Sequence, residues 1–228
     1  MPRKTSTPAD PVTEAITAAM QLAAEKPWRD ISLYEIAQAV GQNPAELALE
    51  IPSKSALLAA MARRADRHML ATIDEDWPDE TVRDRLFAML MARFDYLRPY
   101  RDGLKSALQS LRNDPITSLC LAVGPGQRSL DTALEMAGLS ATGLRGALRR
   151  KGLGIAYAMA FRTFMRDDSE DLSQTMATLD KQLKNIESWA KRFENGPFRR
   201  RRDKGAEDDA NDLADGAGNG AMPDPAAG

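Results

Sequence analysis

The sequence is poor in the residues that build most catalytic and metal sites. Its 228 residues include one cysteine, Cys120, and one histidine, His68. These counts exclude a disulfide framework within the chain, a cysteine-based zinc site and a histidine pair. The carboxylates and lysines do not assemble into a catalytic set either. We therefore expect no metal, no cofactor and no enzymatic activity.

A long apolar run is also missing. The longest nearly apolar stretch, residues 152–161, has ten residues, about half of the roughly 20 that a membrane-spanning helix needs. No basic and apolar leader with a small-residue cleavage site opens the chain. These observations predict a cytoplasmic protein without integral membrane association. The 43% of hydrophobic residues is enough to build a core.

The charge is unevenly distributed. Residues 203–228 carry seven acidic residues and one lysine, whereas the other 202 residues carry 30 basic and 26 acidic ones. This acidic segment is rich in Gly, Ala and Asp, and we expect a disordered tail over 196–228. The tail begins with a basic run, Arg199–Arg202. That run is suited either to phosphates of nucleic acid or lipid, or to pairing with the acidic residues after it.

Apolar residues recur at helical spacing along the rest of the chain, and no segment alternates with the period of a strand. The pattern predicts an all-α protein of about nine helices. The expected helices are 11–25, 33–40, 44–50, 53–69, 82–97, 99–111, 115–137 with a break or sharp kink at 124–126, a helix of about 26 residues capped by Ser140, and a last helix capped by Ser169 and Asp171 that ends near Phe193.

The second and third helices carry local start and stop signals. Ser32 with Glu35 has the spacing of a capping box, and Gly41 ends the second helix. Asn43 is a good N-cap for the third helix, with Pro44 at its first position. Two short helices joined by a short turn containing Gly predict a helix-turn-helix.

Residues 28–40, WRDISLYEIAQAV, followed by Gly41 and by IPSKSALLAAM at residues 51–61, resemble the TetR/AcrR family of bacterial transcriptional regulators. The resemblance implies an N-terminal helix-turn-helix that binds DNA and a larger helical domain that binds a small apolar ligand and pairs into a homodimer through its last two helices. The implied domains are a flexible arm at 1–10, the DNA-binding module at 11–58, the ligand and dimer domain at 59–195, and the tail at 196–228.

This sequence departs from the family at the recognition helix. Where the family commonly has Thr, Tyr and His, the chain has Glu46, Ala48 and Glu50. Residues 11–58 also contain six acidic and three basic residues, an unfavourable balance for approaching phosphates. The residues that we expect to contact DNA are Ser32, Gln42, Asn43, Glu46, Lys54, Arg3 and Lys4.

Five of these residues also have a purely structural interpretation. Ser32 and Asn43 are helix caps, Lys54 opposes Glu50, and charges in the arm keep the chain soluble. Glu46 is compatible with DNA only as an acceptor for cytosine N4.

The larger domain contains flexible and aromatic side chains that suit an apolar cavity. The predicted pocket residues are Met89, Phe94, Met159 and Phe161, for which ordinary core packing is the alternative. The long helix that follows Ser140 contains four glycines, at positions 143, 146, 152 and 154. Glycine weakens a helix, so these positions suggest close approach of another backbone, which a second copy would supply.

A second resemblance implies another function. LRPY at residues 97–100 and MRDDSEDL at residues 165–172 are similar to the ubiquinone-biosynthesis lipid-binding proteins. Those proteins share the TetR fold, bind isoprenoid lipid and do not bind DNA. Their membrane-docking amphipathic helix is not evident after Phe193. The alternative prediction is therefore a lipid or isoprenoid-binding accessory protein whose helix-turn-helix no longer binds DNA.

Overall fold

A computed structural model describes residues 10–194, with side chains up to residue 189. Within that range the chain forms ten α-helices and no β-strand, in agreement with the predicted all-α class. Residues up to Lys184 belong to one compact unit, and the remaining described turns of the last helix to a second. The helices are α1 (Pro11–Glu25), α2 (Leu33–Ala39), α3 (Pro44–Glu50), α4 (Lys54–Leu70), α5 (Val82–Leu97), α6 (Arg101–Arg112), α7 (Pro115–Leu121), α8 (Gln127–Met136), α9 (Gly143–Phe164) and α10 (Ser173–Glu194).

The first four helices form the N-terminal bundle, and local caps set where each begins. Asp10 caps α1, Ser32 caps α2, Asn43 caps α3 and Ser53 caps α4, each through a side-chain oxygen that accepts a backbone N–H. These bonds satisfy donors that a helix start would otherwise leave unpaired. The predicted domain boundary at residue 58 lies inside α4, so the bundle and the larger domain share one continuous helix.

Close packing of α1 against α6 joins the bundle to the larger domain. A Cβ atom on Gly103 of α6 would lie 2.3 Å from the carbonyl oxygen of Met20 in α1. Only glycine permits this approach, because any larger residue would clash with backbone rather than with a movable side chain. The hydroxyl of Ser106 in α6 also accepts the backbone N–H of Trp28 at 2.9 Å. The larger domain is thus held firmly to the end of α1.

The core of the larger domain is apolar and aromatic. Its largest fully buried side chains include Met69, Met89, Phe94, Leu153 and Phe164. The Phe94 ring packs 5.1 Å from the Phe164 ring, centroid to centroid, and thereby joins α5 to α9. Contacts of this kind contribute beyond simple burial of apolar area.

The Gly124-Pro125-Gly126 segment interrupts the α-helix, as the sequence predicts. Residues Ala122–Gly126 form one π-helical turn between the end of α7 at Leu121 and the start of α8 at Gln127. Proline lacks the N–H that an α-helix would need there, and a widened turn tolerates that loss. The apolar stripe of α7, which includes Cys120, lies on the surface.

The long helix α9 is shorter than predicted. It begins at Gly143 and has 22 residues, rather than about 26 after a Ser140 cap. Ser140 Oγ instead accepts the backbone N–H of Thr142 at 3.2 Å within the preceding loop. The first N–H of α10, on Ser173, donates to both of the predicted capping residues, Ser169 Oγ at 3.0 Å and Asp171 Oδ1 at 3.1 Å.

Backbone conformation accounts for one of the four glycines of α9, and contacts within the chain account for two more. Gly143 has a positive φ of 67°, which glycine adopts without strain. A Cβ on Gly146 would lie 2.1 Å from the Ala141 backbone, and one on Gly154 would lie 3.3 Å from the Leu130 side chain. A second copy is therefore not needed to explain these positions.

Candidate nucleic-acid interface and ligand cavity

Helices α2 and α3 form the helix-turn-helix through a tight turn at Gly41. Its φ of 68° is left-handed, and the next backbone N–H, on Gln42, donates to the Ala37 carbonyl at 2.9 Å. A glycine at the end of a helix permits this turn without strain. The turn directs α3 away from α2, and only Leu47 within α3 is buried.

Both predicted caps are exposed and occupied by their capping bonds. Ser32 Oγ accepts the N–H of Glu35 at 3.1 Å, and Asn43 Oδ1 accepts the N–H of Ala45 at 2.9 Å. The Glu35 carboxylate pairs with Lys26 instead of closing the predicted capping box. The Ser32 and Asn43 side chains therefore order the two helix starts at the surface of the module.

Gln42 is tied to the N-terminal helix. Its Nε2 donates to the carbonyl oxygen of Pro11 at 3.0 Å. This bond joins the turn of the helix-turn-helix to the start of α1. The bond uses one of the two N–H donors of the Gln42 amide and leaves the other N–H and the carbonyl oxygen for a further contact.

Lys54 lies beneath the turn at Trp28–Asp30. Its Nζ donates to the carbonyl oxygens of Trp28 at 2.7 Å and Arg29 at 3.1 Å, and it lies 5.4 Å from the Trp28 ring centroid. Burial lowers the pKa of Lys54 and the nearby Asp30 carboxylate raises it, with a net lowering. The ammonium thus donates to two backbone carbonyl oxygens within the fold, and one of its three N–H groups is not used in these bonds.

The outer face of α3 is acidic and apolar. Glu46, Ala48 and Glu50 are exposed, and Leu49 is 86% exposed. On α2 the Tyr34 ring is also exposed, and its hydroxyl accepts a hydrogen bond from Gln38 at 2.8 Å. Sequence reasoning missed Leu49 and Tyr34, because their apolar character favours burial over a surface position.

The cations of the module have partners within it. Lys26 pairs with Glu35, Arg29 lies 3.6 Å from Asp30, and Lys54 is bound as described above. Two other predicted contacts, Arg3 and Lys4, lie outside the described residues, as do Arg199–Arg202. Within residues 11–58, exposed carboxylates therefore outweigh free positive charge at the predicted interface.

The larger domain contains a cavity of about 280 Å³ between α4, α5, the α7–α8 connection and α9. Six of its lining residues present apolar atoms or backbone, and three carry polar groups. The lining consists of Met69, Leu90, Ala122, Gly126, Leu130 and Gly154, with Arg93, Ser129 and Tyr157.

The four predicted pocket residues lie near this cavity but do not line it. Met89 and Phe94 are fully buried in the core. Phe161 is half-buried and packs 6.4 Å from Phe94, centroid to centroid, while Met159 lies on the exposed side of α9. The structure therefore brings Phe94 and Phe161 together in an aromatic cluster with Tyr157 rather than around open space.

A buried polar cluster borders the cavity. Arg93 of α5 forms an ion pair with Asp66 of α4, and its Nε donates to the Tyr157 hydroxyl of α9 at 3.0 Å. Ser129 Oγ of α8 lies 2.8 Å from Asp66 Oδ2 and 2.9 Å from the Pro125 carbonyl oxygen. The cluster joins four helices and the π-helical turn, and nothing in the local sequence pattern identifies it.

These features define an all-α protein in which a helix-turn-helix packs against longer helices that border a partly open cavity. Among solved structures, a TetR transcriptional regulator from Nitrosomonas europaea ATCC 19718 aligns with a TM-score of 0.65 and 27% identity, over 79% of this chain and 99% of its own. A TetR regulator from Rhodococcus sp. RHA1 aligns with a TM-score of 0.53 and 20% identity, over 76% and 96%. A TetR-family regulator from Streptomyces coelicolor aligns with a TM-score of 0.50 and 16% identity, over 77% and 83%.

The chain therefore has the all-α fold of the TetR/AcrR transcriptional regulators, as its sequence predicts. Searches of the sequence against protein-family profiles and against curated proteins find no match. In the part of the chain that the structure describes, no helix combines the length and apolar character needed to cross a bilayer.

Proposed function

We propose that the protein is a TetR-like transcriptional regulator: a homodimer that binds DNA through its helix-turn-helix and a small apolar effector in its larger domain, without catalytic activity. The observation that carries this proposal is the alignment with the Nitrosomonas regulator, which includes nearly that whole chain and so extends over both domains. A match restricted to α1–α4 would have supported the helix-turn-helix alone and not the rest of a TetR-like regulator.

In this proposal α3 enters the major groove, and Ser32, Gln42, Asn43, Glu46 and Lys54 lie at the contact. Two copies would place their α3 helices in successive major grooves, about 34–36 Å apart. Dimerisation would use α9 and α10, with the exposed apolar residues of α9 at its centre. An effector in the cavity would alter the spacing of the two modules by favouring one conformation of the dimer.

The acidic face of α3 sets a physical condition on this function. Sequence-independent affinity for DNA comes mainly from attraction to phosphates. With Glu46 and Glu50 exposed, that attraction must come from the remaining donor of Lys54, from backbone N–H groups and from Arg3 and Lys4. We therefore expect weak non-specific binding with a shallow salt dependence, because the slope scales with the number of phosphates that the protein neutralises.

The lipid-carrier alternative receives less support. Each of the three solved structures compared above is a transcriptional regulator. A cavity of about 280 Å³ also lies just below the range for small-molecule sites, roughly 300–1,000 Å³. This volume suits a compact effector better than an extended isoprenoid chain.

A gel-shift experiment tests the proposal. The purified full-length protein is titrated against the DNA flanking its own gene, between 50 and 200 mM salt, and a retarded band that weakens with salt is expected. Ala48→Glu, which adds a carboxylate to the exposed face of α3, should abolish the band. The matched Ala71→Glu change, at the exposed end of α4, should preserve it.

Two results would contradict the proposal. One is the absence of any retarded band at 50 mM salt with protein that is correctly folded by circular dichroism. The other is copurification of a prenyl lipid in stoichiometric amount, detected by mass spectrometry, which would instead support the lipid carrier.

A further inference from the structure

Arg93 is an unusual residue for the wall of an apolar cavity. It is 7% exposed, yet it lines the cavity beside Met69, Leu90 and Leu130. Taking a guanidinium group out of water is costly unless its hydrogen-bonding groups are satisfied. Any donor of Arg93 that has no acceptor in the protein therefore indicates which group a ligand would have to supply.

The protein satisfies only part of this guanidinium group. Its Nε donates to the Tyr157 hydroxyl at 3.0 Å, and its Nη1 pairs with Asp66. Nη2 has no hydrogen-bond partner among the residues that the structure describes. An arginine carries five N–H donors and this one makes a single hydrogen bond, through Nε, so a residue that lines the cavity retains unused donors.

Tyr157 adds a second donor at the same place. Its hydroxyl oxygen accepts from Arg93, which leaves the hydroxyl hydrogen for another acceptor. The phenol ring lines the cavity and stacks on Phe94 with 5.3 Å between ring centroids. The position of the hydroxyl is thus set from both sides, by the ring stack and by Arg93.

The charge balance decides which kind of acceptor suits these donors. Asp66 already neutralises Arg93, and Ser129 binds the other carboxylate oxygen at 2.8 Å. A ligand carboxylate placed here would be a second anion on one buried cation, with no further positive charge to compensate it. A neutral oxygen acceptor would use the free donors without that cost.

We infer that this cavity binds a small, neutral and mainly apolar molecule bearing one carbonyl-type oxygen, which accepts hydrogen bonds from Tyr157 and Arg93. This inference rests on the proposed effector site and specifies its chemistry. The apolar part of the molecule lies against Met69, Leu90 and Leu130, and the volume of about 280 Å³ limits it to a compact ring or a short chain.

Three probes of nearly equal size separate the possibilities: acetophenone has the carbonyl, ethylbenzene has no acceptor, and benzoate has a negative charge. Binding of each to the full-length dimer is measured by isothermal titration calorimetry without DNA. Acetophenone is expected to bind at least fivefold more tightly than either of the others. Equal affinities for acetophenone and ethylbenzene, tightest binding of benzoate, or no binding of any probe would overturn the inference.

Two variants locate the binding. Tyr157→Phe removes the hydroxyl and keeps the ring, so it should abolish most of the preference for acetophenone over ethylbenzene. The same chemical change at Tyr34→Phe, on the exposed face of α2, is the matched control and should preserve the preference. Leu130→Trp fills the cavity and should prevent binding of all three probes. Unchanged acetophenone binding in Leu130→Trp would place the site elsewhere and overturn the inference, even where Tyr157→Phe does not fold.

Because these measurements contain no DNA, they can fail independently of the regulator proposal. If the protein retards DNA but binds no probe, the proposed function stands and the inferred ligand chemistry is wrong. If the protein binds acetophenone in the cavity but retards no DNA, the inferred ligand chemistry stands and the proposed regulator function is wrong.

Discussion

Lys54 shows how one residue serves the fold and limits the proposed interface. Its ammonium binds two backbone carbonyls of the Trp28–Asp30 turn and lies over the Trp28 ring. Those bonds join the start of α4 to the segment that precedes α2. A phosphate contact would therefore add to an existing structural role, and loss of Lys54 would affect both stability and DNA binding.

Asp167 organises the turn between α9 and α10. The residue is fully buried, and its Oδ2 accepts the Thr175 N–H at 2.8 Å and the Thr175 hydroxyl at 2.7 Å. Its Oδ1 accepts from the backbone N–H of Ser169 at 3.2 Å and from the Ser169 hydroxyl. Burial raises the pKa of Asp167. The hydrogen bonds from Ser169 and Thr175 lower it by more, so that the pKa falls from 3.8 to about 2.

This lowered pKa predicts an acid-dependent part of the stability. The folded-state pKa lies below the unfolded one, so the contribution is complete above about pH 4 and is lost as the pH falls towards 2. Its size is roughly 2 kcal/mol. Asp167→Asn should lower the free energy of unfolding by about that amount at pH 7, and the difference from the wild type should shrink between pH 4 and pH 2.

Urea unfolding followed by far-ultraviolet circular dichroism at pH 7, 5, 4 and 3 measures this difference. Asp168→Asn is the control, because the neighbouring carboxylate is 88% exposed and pairs only with Arg101 at the surface. A difference between Asp167→Asn and the wild type that stays constant over the whole pH range would refute the assignment.

At the scale of elements, the inner face of α3 serves folding and its outer face is available for recognition. Its cap, its first-position proline and its buried Leu47 determine where the helix lies. Its outer residues contribute nothing to that packing, since Glu46, Ala48, Leu49 and Glu50 are exposed. The outer face is therefore free to change without loss of the fold.

Removing the two carboxylates of α3 should strengthen non-specific DNA binding. Glu46→Gln combined with Glu50→Gln keeps size and polarity but removes repulsion from the phosphates. We expect roughly a fivefold gain in affinity for random DNA at 50 mM salt.

Fluorescence anisotropy with a labelled 25-base-pair duplex measures this gain in affinity. The control removes two exposed carboxylates from the loop between α4 and α5, Glu75→Gln with Glu80→Gln. Equal effects of the two pairs would mean that α3 does not face DNA.

At the scale of the whole molecule, α9 presents an apolar face that the described part of the chain leaves exposed. Leu144, Leu148, Ile155 and Met159 are all exposed, at spacings that place them on one side of the helix. Single exposed apolar residues are ordinary, but four on one side of a 22-residue helix, interrupted by Lys151, are typical of an interface. This stripe is where we expect the second copy to pack.

Two charges on this face should produce a monomer. Leu148→Glu with Ile155→Glu would bury like charges at a two-fold interface, a cost that association cannot offset. Sedimentation equilibrium should then give a mass near 25 kDa instead of twice that value. Ile116→Glu with Leu119→Glu, on the exposed stripe of α7, is the matched control and should leave the dimer intact. A dimer that persists in the α9 variant would exclude this interface.

The sequence by itself determined the helical class, the helix-turn-helix and its caps. These features depend on residues within four positions of each other, such as Ser32 with Glu35 and Asn43 with Ala45. Helical periodicity and capping can therefore be predicted from the local sequence alone. The same local reasoning misjudged the start of α9, because Ser140 bonds within the preceding loop instead of capping the helix.

Only the tertiary structure decided what the polar groups bind and where the open space lies. Asp66 meets Ser129 across 63 residues, Arg93 meets Tyr157 across 64, and Gln42 binds Pro11 across 31. The cavity lies between helices that are distant in sequence, while the predicted aromatic residues fill the core beside it. Such partners follow from how helices pack in space, and a periodic pattern carries no information about which of its faces will meet.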